Sequence, residues 1–316
     1  MSDRRKIATR ESYGRVLEKL GAEYPNLTVL DADLVGATKT AYFQKSYPER
    51  HFDCGIAEAN MMGVAAGLAT EGFIPVVSTF AMFAAGRAFE QVRNSIGYPA
   101  LNVKIVASHG GISVGEDGAT HQCNEDLALM RSIPGMTVVC PADGVETEAA
   151  IRAILAYDGP AYVRLGRSDV PMFHDEEHYR FELGKGVTLR EGRDVTLFAT
   201  GLCVYESLRA AEILSANGID AEVINLHTVK PIDEALVIRS AKKTGRVVTV
   251  EEHSTVGGLG SAVCDVLCEK APTLTLKIGI PDVFGRSGSA QKLLDHFGLT
   301  GEKIAQKVLD WMKDPA

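Results

Sequence analysis

The stretch CGIAEANMMGVAAGLATEGFIPVVSTFAMFAAGRAFEQVR (residues 54–93) contains the pattern on which the fold prediction depends. Its first part is mostly small and apolar, which is typical of a buried helix over 58–69. The short apolar run at 74–77 predicts a strand, and a second helix is predicted over 80–96. A helix, a strand and a second helix in this order indicate a parallel sheet covered by helices.

One carboxylate and two aromatic rings stand out in this stretch. Glu58 begins the first helix, and Phe80 and Phe83 lie three residues apart at the start of the second. A carboxylate in an apolar setting, followed by two aromatic faces, could hold a flat, nitrogen-containing heterocycle. Two plainer interpretations stay open, because an acid at a helix start interacts with the macrodipole and aromatic pairs commonly pack in a core.

The same alternation of helix and strand continues along the chain. Strands are predicted at 27–30, 103–107, 137–140, 161–165, 195–199, 221–226, 247–251 and 273–278, with helices at 126–131, 145–156, 205–217, 233–243, 260–268 and 301–312. A polar stretch interrupts the pattern in the middle. We therefore predict an α/β protein of two domains, each a mostly parallel sheet flanked by helices. The first domain covers residues 1–170, a linker 171–193 and the second domain 194–316.

Composition excludes several classes of protein. A chain of 316 residues can bury two separate cores, and its net charge of −8 argues against a general nucleic-acid-binding surface. No apolar run approaches the roughly 18 residues of a membrane helix. The six cysteines show no CxxC spacing, so we expect reduced thiols, no metal site among them and a cytoplasmic protein.

A glycine-rich loop, HGGISVGEDGATHQ (residues 109–122), follows a predicted strand. It combines two histidines, two acids and four glycines, although each glycine costs folding entropy. The loop is not a Walker loop and lacks the ligand spacing of a zinc site. A flexible backbone with imidazoles and carboxylates suits the binding of a polyhydroxylated substrate and the movement of its protons.

Four polar residues fall at the carboxyl ends of predicted strands, where ligands bind in parallel sheets. They are Asp33, Thr79, His109 and Arg167. We expect them to border one crevice. Arg164 lies three residues before Arg167 and faces the other way if the strand continues, so Arg167 is the better candidate for an anionic substrate group. The alternative is that both arginines are solvated charges.

The segment GGLGSA (residues 257–262) is superficially similar to a dinucleotide-binding fingerprint. The fingerprint needs Gly or Ala at position 263, which is Val263 here, and no strand runs directly into the segment. A tight turn before a helix is the preferred interpretation.

Three motifs in order carry a resemblance to a known family: DCGIAEANM (53–61), STFAMF (78–83) and GEDGATHQ (115–122). Together they resemble the pyrimidine-binding domain of transketolases, and the segment from Asp194 resembles the transketolase C-terminal domain. The resemblance covers nearly the whole chain, which most resembles the C-terminal half of a split transketolase. It implies transfer of a two-carbon ketol unit from a ketose phosphate to an aldose phosphate by means of thiamine diphosphate.

The resemblance also implies cofactor contacts. Glu58 matches the acid that hydrogen-bonds the aminopyrimidine ring of thiamine diphosphate. Phe80 and Phe83 match the aromatic residues around that ring, and Asp33 matches an acid near the cofactor.

Five positions match sugar-binding residues of the family. His109 and His121 match imidazoles that contact the sugar and are suited to proton transfer, so that with Glu58 they form the implied catalytic group. Asp117 matches the carboxylate that reads the C2 hydroxyl of the acceptor aldose. Arg10 and Arg167 match the arginines that bind the sugar phosphate.

Two positions depart from the family pattern. A serine that commonly joins the phosphate site is Ala37 here, which leaves the terminal group of the substrate open between a phosphate and a modified sugar. A family tyrosine three residues after Phe83 is Gly86, which leaves room near the pyrimidine for another side chain.

The chain contains no Gly-Asp-Gly, the family motif that holds Mg²⁺ and the diphosphate in the preceding domain. The resemblance therefore implies an N-terminal partner subunit that carries Mg²⁺, an α2β2 heterotetramer, and no activity of this chain alone. Two alternatives remain: the beta subunit of a thiamine-dependent 2-oxo acid dehydrogenase, or a non-catalytic regulatory subunit. The GEDGATHQ loop favours transketolase over the first, and the presence of Glu58 weighs against the second.

Overall fold

The computed structural model describes residues 4–313, so the outermost ends of the two predicted domains lie outside the described residues. The first part of the chain contains β1 (Lys6–Ala8), α1 (Thr9–Glu23), β2 (Leu27–Asp31), α2 (Val35–Thr38), α3 (Ala41–Ser46), β3 (His51–Asp53), α4 (Glu58–Thr70), β4 (Ile74–Phe80), α5 (Phe89–Gln91), β5 (Lys104–Ser108), α6 (Asp126–Ser132), β6 (Thr137–Val139), α7 (Gly144–Ala156), β7 (Ala161–Arg164) and β8 (Asp169–Pro171).

The second part continues with β9 (Val187–Arg190), β10 (Val195–Ala199), α8 (Cys203–Ala216), β11 (Ala221–Asn225), β12 (Thr228–Lys230), α9 (Glu234–Thr244), β13 (Arg246–Ser254), α10 (Leu259–Lys270), β14 (Leu274–Ile280), α11 (Ala290–Phe297) and α12 (Gly301–Lys313). None of the helices in residues 4–313 is long and apolar enough to cross a membrane.

Two large sheets organise the protein. The first has the order β12-β6-β7-β5-β4-β2-β3 and is parallel except for β12. The second has the order β14-β13-β10-β11-β9 and is parallel except for β9. The α/β prediction with mostly parallel sheets is therefore confirmed.

Both faces of the first sheet are buried, which is why its strands are nearly continuous apolar runs. Neighbouring residues of β4 point to opposite faces: Val77 packs in the core that includes Met61 and Met62 of α4. Val76 packs in the core that includes Leu17 of α1. This alternation sandwiches β4 between α4 and α1 and brings the carboxyl end of the strand beside the start of α4.

The two domains share secondary structure. The strand β12 follows the second domain's β11 along the chain but joins the edge of the first sheet, where Thr228 pairs with Val139. The strand β9, which lies in the stretch predicted as a linker, forms the edge of the second sheet. The second domain is thus held against the first by backbone hydrogen bonds as well as by side chains.

The predicted helix over 80–96 differs from the structure at its start and in its form. Phe80 is the last residue of β4, because its backbone still pairs with Ser108 of β5. The following chain contains two π-helical turns, Phe83–Arg87 and Val92–Gly97. π turns are wider than α turns and occur frequently at functional sites.

Candidate active site

The carboxylate of Glu58 is buried at the start of α4, with 1% of the residue exposed. The Nη1 atom of Arg87 donates hydrogen bonds to both of its oxygens, at 3.0 and 2.9 Å. The guanidinium carbon of Arg87 lies 4.7 Å from the centre of the Phe83 ring, an arrangement that allows a cation–π contact. Sequence reasoning missed Arg87, although its position four residues after Phe83 could have suggested a shared face.

Four rings form an aromatic cluster next to Glu58. Phe80 and Phe83 are stacked, with ring centres 5.6 Å apart and an interplanar angle of 15°. His109 stacks on Phe80 at 3.8 Å, and His121 meets the Phe83 ring edge-on at 5.6 Å. The structure therefore brings together the residues that the sequence placed on β4, its following turn and the glycine-rich loop.

His109 lies at the end of β5 with a positive φ of 60°, which is uncommon for a residue with a side chain. Its Nδ1 is 2.8 Å from Oγ of Ser108. Burial lowers the pKa of His109 to about 3, and the charges of Arg10, Arg167 and His121 act in the same direction. The imidazole is therefore neutral near pH 7 and can both donate and accept a hydrogen bond.

Two arginines lie close enough to this imidazole to affect it. Arg10 of α1 donates from Nη1 to the carbonyl of Ala37 at 2.7 Å, while its buried Nε has no partner. Burial and the charge of Arg167 lower the pKa of Arg10. Arg167 donates to the carbonyl of Val114 at 2.5 Å and pairs with the exposed Glu116 at 3.3 Å. Two mutually repelling guanidinium groups with donors to spare suit an anionic ligand.

The two acids predicted to bind cofactor or sugar, Asp33 and Asp117, are both exposed to solvent. Asp33 is exposed, with a φ of 57°, and its backbone N–H donates to Asp53. Asp117 is exposed at the end of the 3₁₀ turn Ile112–Asp117. Among the described residues, neither carboxylate makes an ion pair with Arg10 or Arg167.

The glycine-rich loop is more buried and more tightly held than a flexible substrate-binding loop. A Cβ atom on Gly110 would overlap Arg164, and one on Gly111 would overlap the carboxylate of Glu252. Gln122 is buried and donates to the carbonyls of Gly115 and Arg286, at 3.3 and 2.8 Å. Gly110 therefore permits close packing against Arg164 of the first domain and Gly111 against Glu252 of the second, so these two glycines make room for neighbouring side chains.

Arg164 is also not a solvated charge. It is buried in an ion pair with Asp126 at 3.0 Å, and that charge raises its pKa against the effect of burial. Arg167 therefore remains the proposed candidate of the two for an anionic substrate group.

In the turn at residues 257–262, the backbone N–H groups that begin the next helix are already hydrogen-bonded to a side chain of the same chain. The carboxylate of Glu251 accepts hydrogen bonds from the backbone N–H groups of Leu259 and Gly260, at 2.7 and 2.8 Å. The donors that a nucleotide phosphate would need are therefore occupied, as the tight-turn interpretation predicts.

The site is open to one side. A cavity of about 620 Å³ borders the aromatic cluster and is lined in part by Phe83, Arg87, Thr120 and the exposed Phe284. The hydroxyl of Thr79, the residue before Phe80 in β4, is buried without a partner. A buried carboxylate, two stacked rings and an unpaired hydroxyl fit a flat heterocycle with ring nitrogens. Across residues 4–313, no group of three or more His, Cys, Asp and Glu side chains could hold a metal ion.

Comparison with known proteins agrees with this arrangement. The transketolase pyrimidine-binding domain family matches residues 5–172, and the transketolase C-terminal domain family matches residues 184–304. A protein of Methanocaldococcus jannaschii named as a transketolase C-terminal section is 53% identical over 96% of both chains. A 6-deoxy-6-sulfo-D-fructose transketolase subunit of a Clostridium species (strain MSTE9) is 47% identical over 94% of this chain and 92% of its own.

A solved structure described as a split gene transketolase, an inactive β4 tetramer, is also similar. It superimposes with a TM-score of 0.88 and 52% identity, covering 96% of this chain and 97% of its own. The resemblance of the three sequence motifs is thereby confirmed over nearly the full length. The chain belongs to the transketolase family, as a C-terminal subunit of the split type.

Proposed function

We propose that this chain is the C-terminal subunit of a two-chain transketolase, which transfers a two-carbon ketol unit from a ketose to an aldose. The observation that carries the proposal is the buried carboxylate of Glu58 beside the stacked rings of Phe80 and Phe83. These groups suit the aminopyrimidine half of thiamine diphosphate. When bound, thiamine diphosphate supplies the carbon nucleophile that accepts the two-carbon unit.

The side chains of this chain take three roles around the cofactor. Glu58 would share a hydrogen bond with a ring nitrogen, and Phe80 and Phe83 would pack on the ring and exclude water from it. Asp33, two residues after β2, is proposed as a less direct cofactor contact. A buried carboxylate is effective in this role because its interactions are stronger in a low-dielectric setting.

The histidines and Asp117 act on the sugar. Because His109 is neutral, its unprotonated ring nitrogen can accept a hydrogen bond from a sugar hydroxyl. The same nitrogen can then take up a proton from that hydroxyl. His121, edge-on to Phe83, is the second imidazole for this purpose. Asp117 is exposed on the same loop and is proposed to accept a hydrogen bond from the C2 hydroxyl of the acceptor.

Arg10 and Arg167 are proposed to bind the anionic end of the sugar. The unpartnered Nε of Arg10 and the repulsion between the two guanidinium groups both favour an anion there. A phosphate is our first candidate. A sulfonate is the second, because the Clostridium relative is named for a sulfo-sugar and because Ala37 replaces a serine at the family's phosphate site.

The other half of the cofactor belongs to a partner subunit in this proposal. The chain lacks Gly-Asp-Gly, so Mg²⁺ and the diphosphate are assigned to an N-terminal subunit in an α2β2 heterotetramer. The similar split transketolase was solved as an inactive β4 tetramer, which supports a requirement for a second kind of chain. We also propose a cytoplasmic location, which suits the six free cysteines.

A direct assay tests the proposal. The chain is co-purified with a neighbouring gene product that carries Gly-Asp-Gly, and supplied with thiamine diphosphate and Mg²⁺. We expect two-carbon transfer from a ketose phosphate or a 6-sulfo ketose, with no release of CO2 from 2-oxo acids. CO2 release would favour a 2-oxo acid dehydrogenase subunit instead. Turnover by the purified chain without any partner would contradict the two-chain assignment.

A further inference from the structure

A buried carboxylate of the second domain reaches the loop that carries the sugar-binding histidines. Glu252 lies near the end of β13 and is 4% exposed. Its Oε1 accepts a hydrogen bond from the backbone N–H of Ser113 at 2.5 Å, across the domain boundary. Gly111 leaves the space for this approach, since a Cβ atom there would overlap the carboxylate. None of the proposed catalytic side chains contacts Glu252.

The surroundings of Glu252 hold it in place. Arg164 donates from Nη2 to the backbone carbonyls of Glu252 and Cys123, at 2.7 and 3.2 Å, and pairs through Nε with Asp126. Burial raises the pKa of Glu252 to about 6, whereas Arg164 and the N–H of Ser113 lower it. A buried carboxylate without a hydrogen-bond donor would be costly, so the bond to Ser113 is strongly favoured in the folded state.

The short backbone segment that Glu252 holds at the N–H of Ser113 also accepts a hydrogen bond from the proposed anion-binding arginine. The carbonyl of Ser113 accepts a hydrogen bond from Oγ of Ser168 at 3.0 Å. The next carbonyl, that of Val114, accepts one from Nη1 of Arg167 at 2.5 Å. The consecutive residues Arg167 and Ser168 are therefore both hydrogen-bonded to the backbone carbonyls of Ser113 and Val114. Glu252 holds the N–H at the start of this short segment.

We propose that Glu252 is a positioning residue that places Arg167 for the anionic end of the substrate, so that the second domain helps to set substrate affinity. The assignment of the anion to Arg167 rests on the proposed function. Glu252 touches no substrate atom and acts only through the Ser113–Val114 backbone.

Glu251 offers a matched control. It is the preceding residue of the same strand, 1% exposed, and its carboxylate also accepts backbone hydrogen bonds, from Leu259 and Gly260. Those bonds lie within the second domain and do not reach the loop. Loss of either carboxylate removes a buried acceptor, but only the loss of Glu252 releases the backbone under Arg167.

The test compares Glu252→Ala, Glu252→Gln and Glu251→Ala in the reconstituted complex, with a ketose phosphate and the matching neutral ketose as donors. For Glu252→Ala we expect KM for the phosphorylated donor to rise about tenfold, the equivalent of one lost charged hydrogen bond. The kcat and the KM for the neutral donor should change less than about twofold. Glu252→Gln keeps an acceptor oxygen and should show a smaller rise, and Glu251→Ala should leave both KM values unchanged.

Hydrogen–deuterium exchange of the isolated chain gives a readout that does not depend on activity. Glu252→Ala should increase exchange at residues 109–118, and Glu251→Ala at 257–262. Two results for Glu252→Ala would overturn the positioning role. One is faster exchange at residues 109–118 without a selective change in KM for the phosphorylated donor, and the other is unchanged exchange at these residues. An inactive wild-type complex would count against the proposed function, while exchange would still report on the Glu252–Ser113 bond. If Glu252→Ala does not fold, the same comparison is made with Glu252→Gln.

Discussion

Arg87 donates to both carboxylate oxygens of Glu58 through a single nitrogen, at 3.0 and 2.9 Å, while its guanidinium lies over the ring of Phe83. Because Arg87 bonds to both oxygens, a pyrimidine nitrogen hydrogen-bonded to Glu58, as we propose, would have to displace it. Half of the Arg87 side chain is exposed to solvent, so it can leave without breaking a core. Cofactor binding to Glu58 therefore requires the exchange of one partner for another.

The first prediction concerns this exchange. Replacing Arg87 by Ala leaves the Glu58 carboxylate without its partner in the cofactor-free protein, which raises the free energy of that state relative to the bound one. We expect the Kd of the reconstituted complex for thiamine diphosphate to fall about three- to tenfold, measured by isothermal titration calorimetry. Arg93→Ala, at an exposed position on the following turn, is the control. Weaker binding would show that Arg87 contacts the cofactor instead.

The second prediction concerns Glu58 itself. Glu58→Gln keeps the size of the side chain and one acceptor oxygen but removes the acid needed to share a proton with the ring. We expect transfer activity to fall at least about 100-fold, while the subunits still co-elute in size-exclusion chromatography. Unchanged turnover would favour the non-catalytic, regulatory alternative.

The third prediction separates sugar recognition from catalysis. Arg10→Met keeps the apolar stem of the side chain and removes the charge that faces the anion. We expect KM for a phosphorylated donor to rise about 10- to 100-fold, with little change for the neutral ketose. Steady-state kinetics with both donors measures this selectivity. An equal loss with both donors would indicate a general effect on the fold of α1.

The fourth prediction concerns pH. Because the pKa of His109 is lowered to about 3, the folded protein keeps this imidazole neutral while the unfolded chain gains a proton below about pH 6.5. Stability contributed by this group is therefore lost as pH falls from about 6.5 towards 3, by about 2 kcal/mol at pH 5. His109→Asn, which tolerates the positive φ, should remove that part of the pH dependence in urea denaturation.

NMR provides an independent check on His109. Its ring carbon resonance should not titrate in the folded chain between pH 7 and 5, whereas in urea it should titrate near the ordinary histidine value of about 6.5. Titration of the folded resonance near 6.5 would contradict the lowered pKa.

The fifth prediction uses two glycines with a positive φ, of which Gly111 also has a ψ of −169°, a combination that disfavours any side chain. Gly111 and Gly135 have φ values of 78° and 72°, but only Gly111 would place a Cβ atom against another group, the carboxylate of Glu252. Gly135→Ala should cost about 1–2 kcal/mol from backbone strain alone. Gly111→Ala should cost more, and Glu252→Ala should relieve the excess in a double-mutant cycle. An unchanged cost of Gly111→Ala in the Glu252→Ala background would contradict the packing explanation.

Local sequence was sufficient for much of the fold. The strands that form the centres of the sheets are short apolar runs separated by amphipathic segments, so their type could be predicted from spacing. The short strands β1, β3, β8, β9 and β12 were not predicted, since edge pairing depends on partners far away in the chain. The start of the helix after β4 was misplaced for the same reason: Phe80 stays extended because Ser108 pairs with it.

The sequence by itself indicated an α/β protein through the alternation of helices and strands, and its three motifs, which contain Glu58, the aromatic pair and His121, resembled those of transketolases. Only the tertiary structure showed that Arg87 covers Glu58, that Arg164 pairs with Asp126, and that glycines in the loop make room for Glu252. These relationships join residues that lie 29, 38 (164 − 126) and 139 positions apart in the chain. Hydrophobic periodicity sets which face a residue lies on, but not which charged group the opposite domain places there.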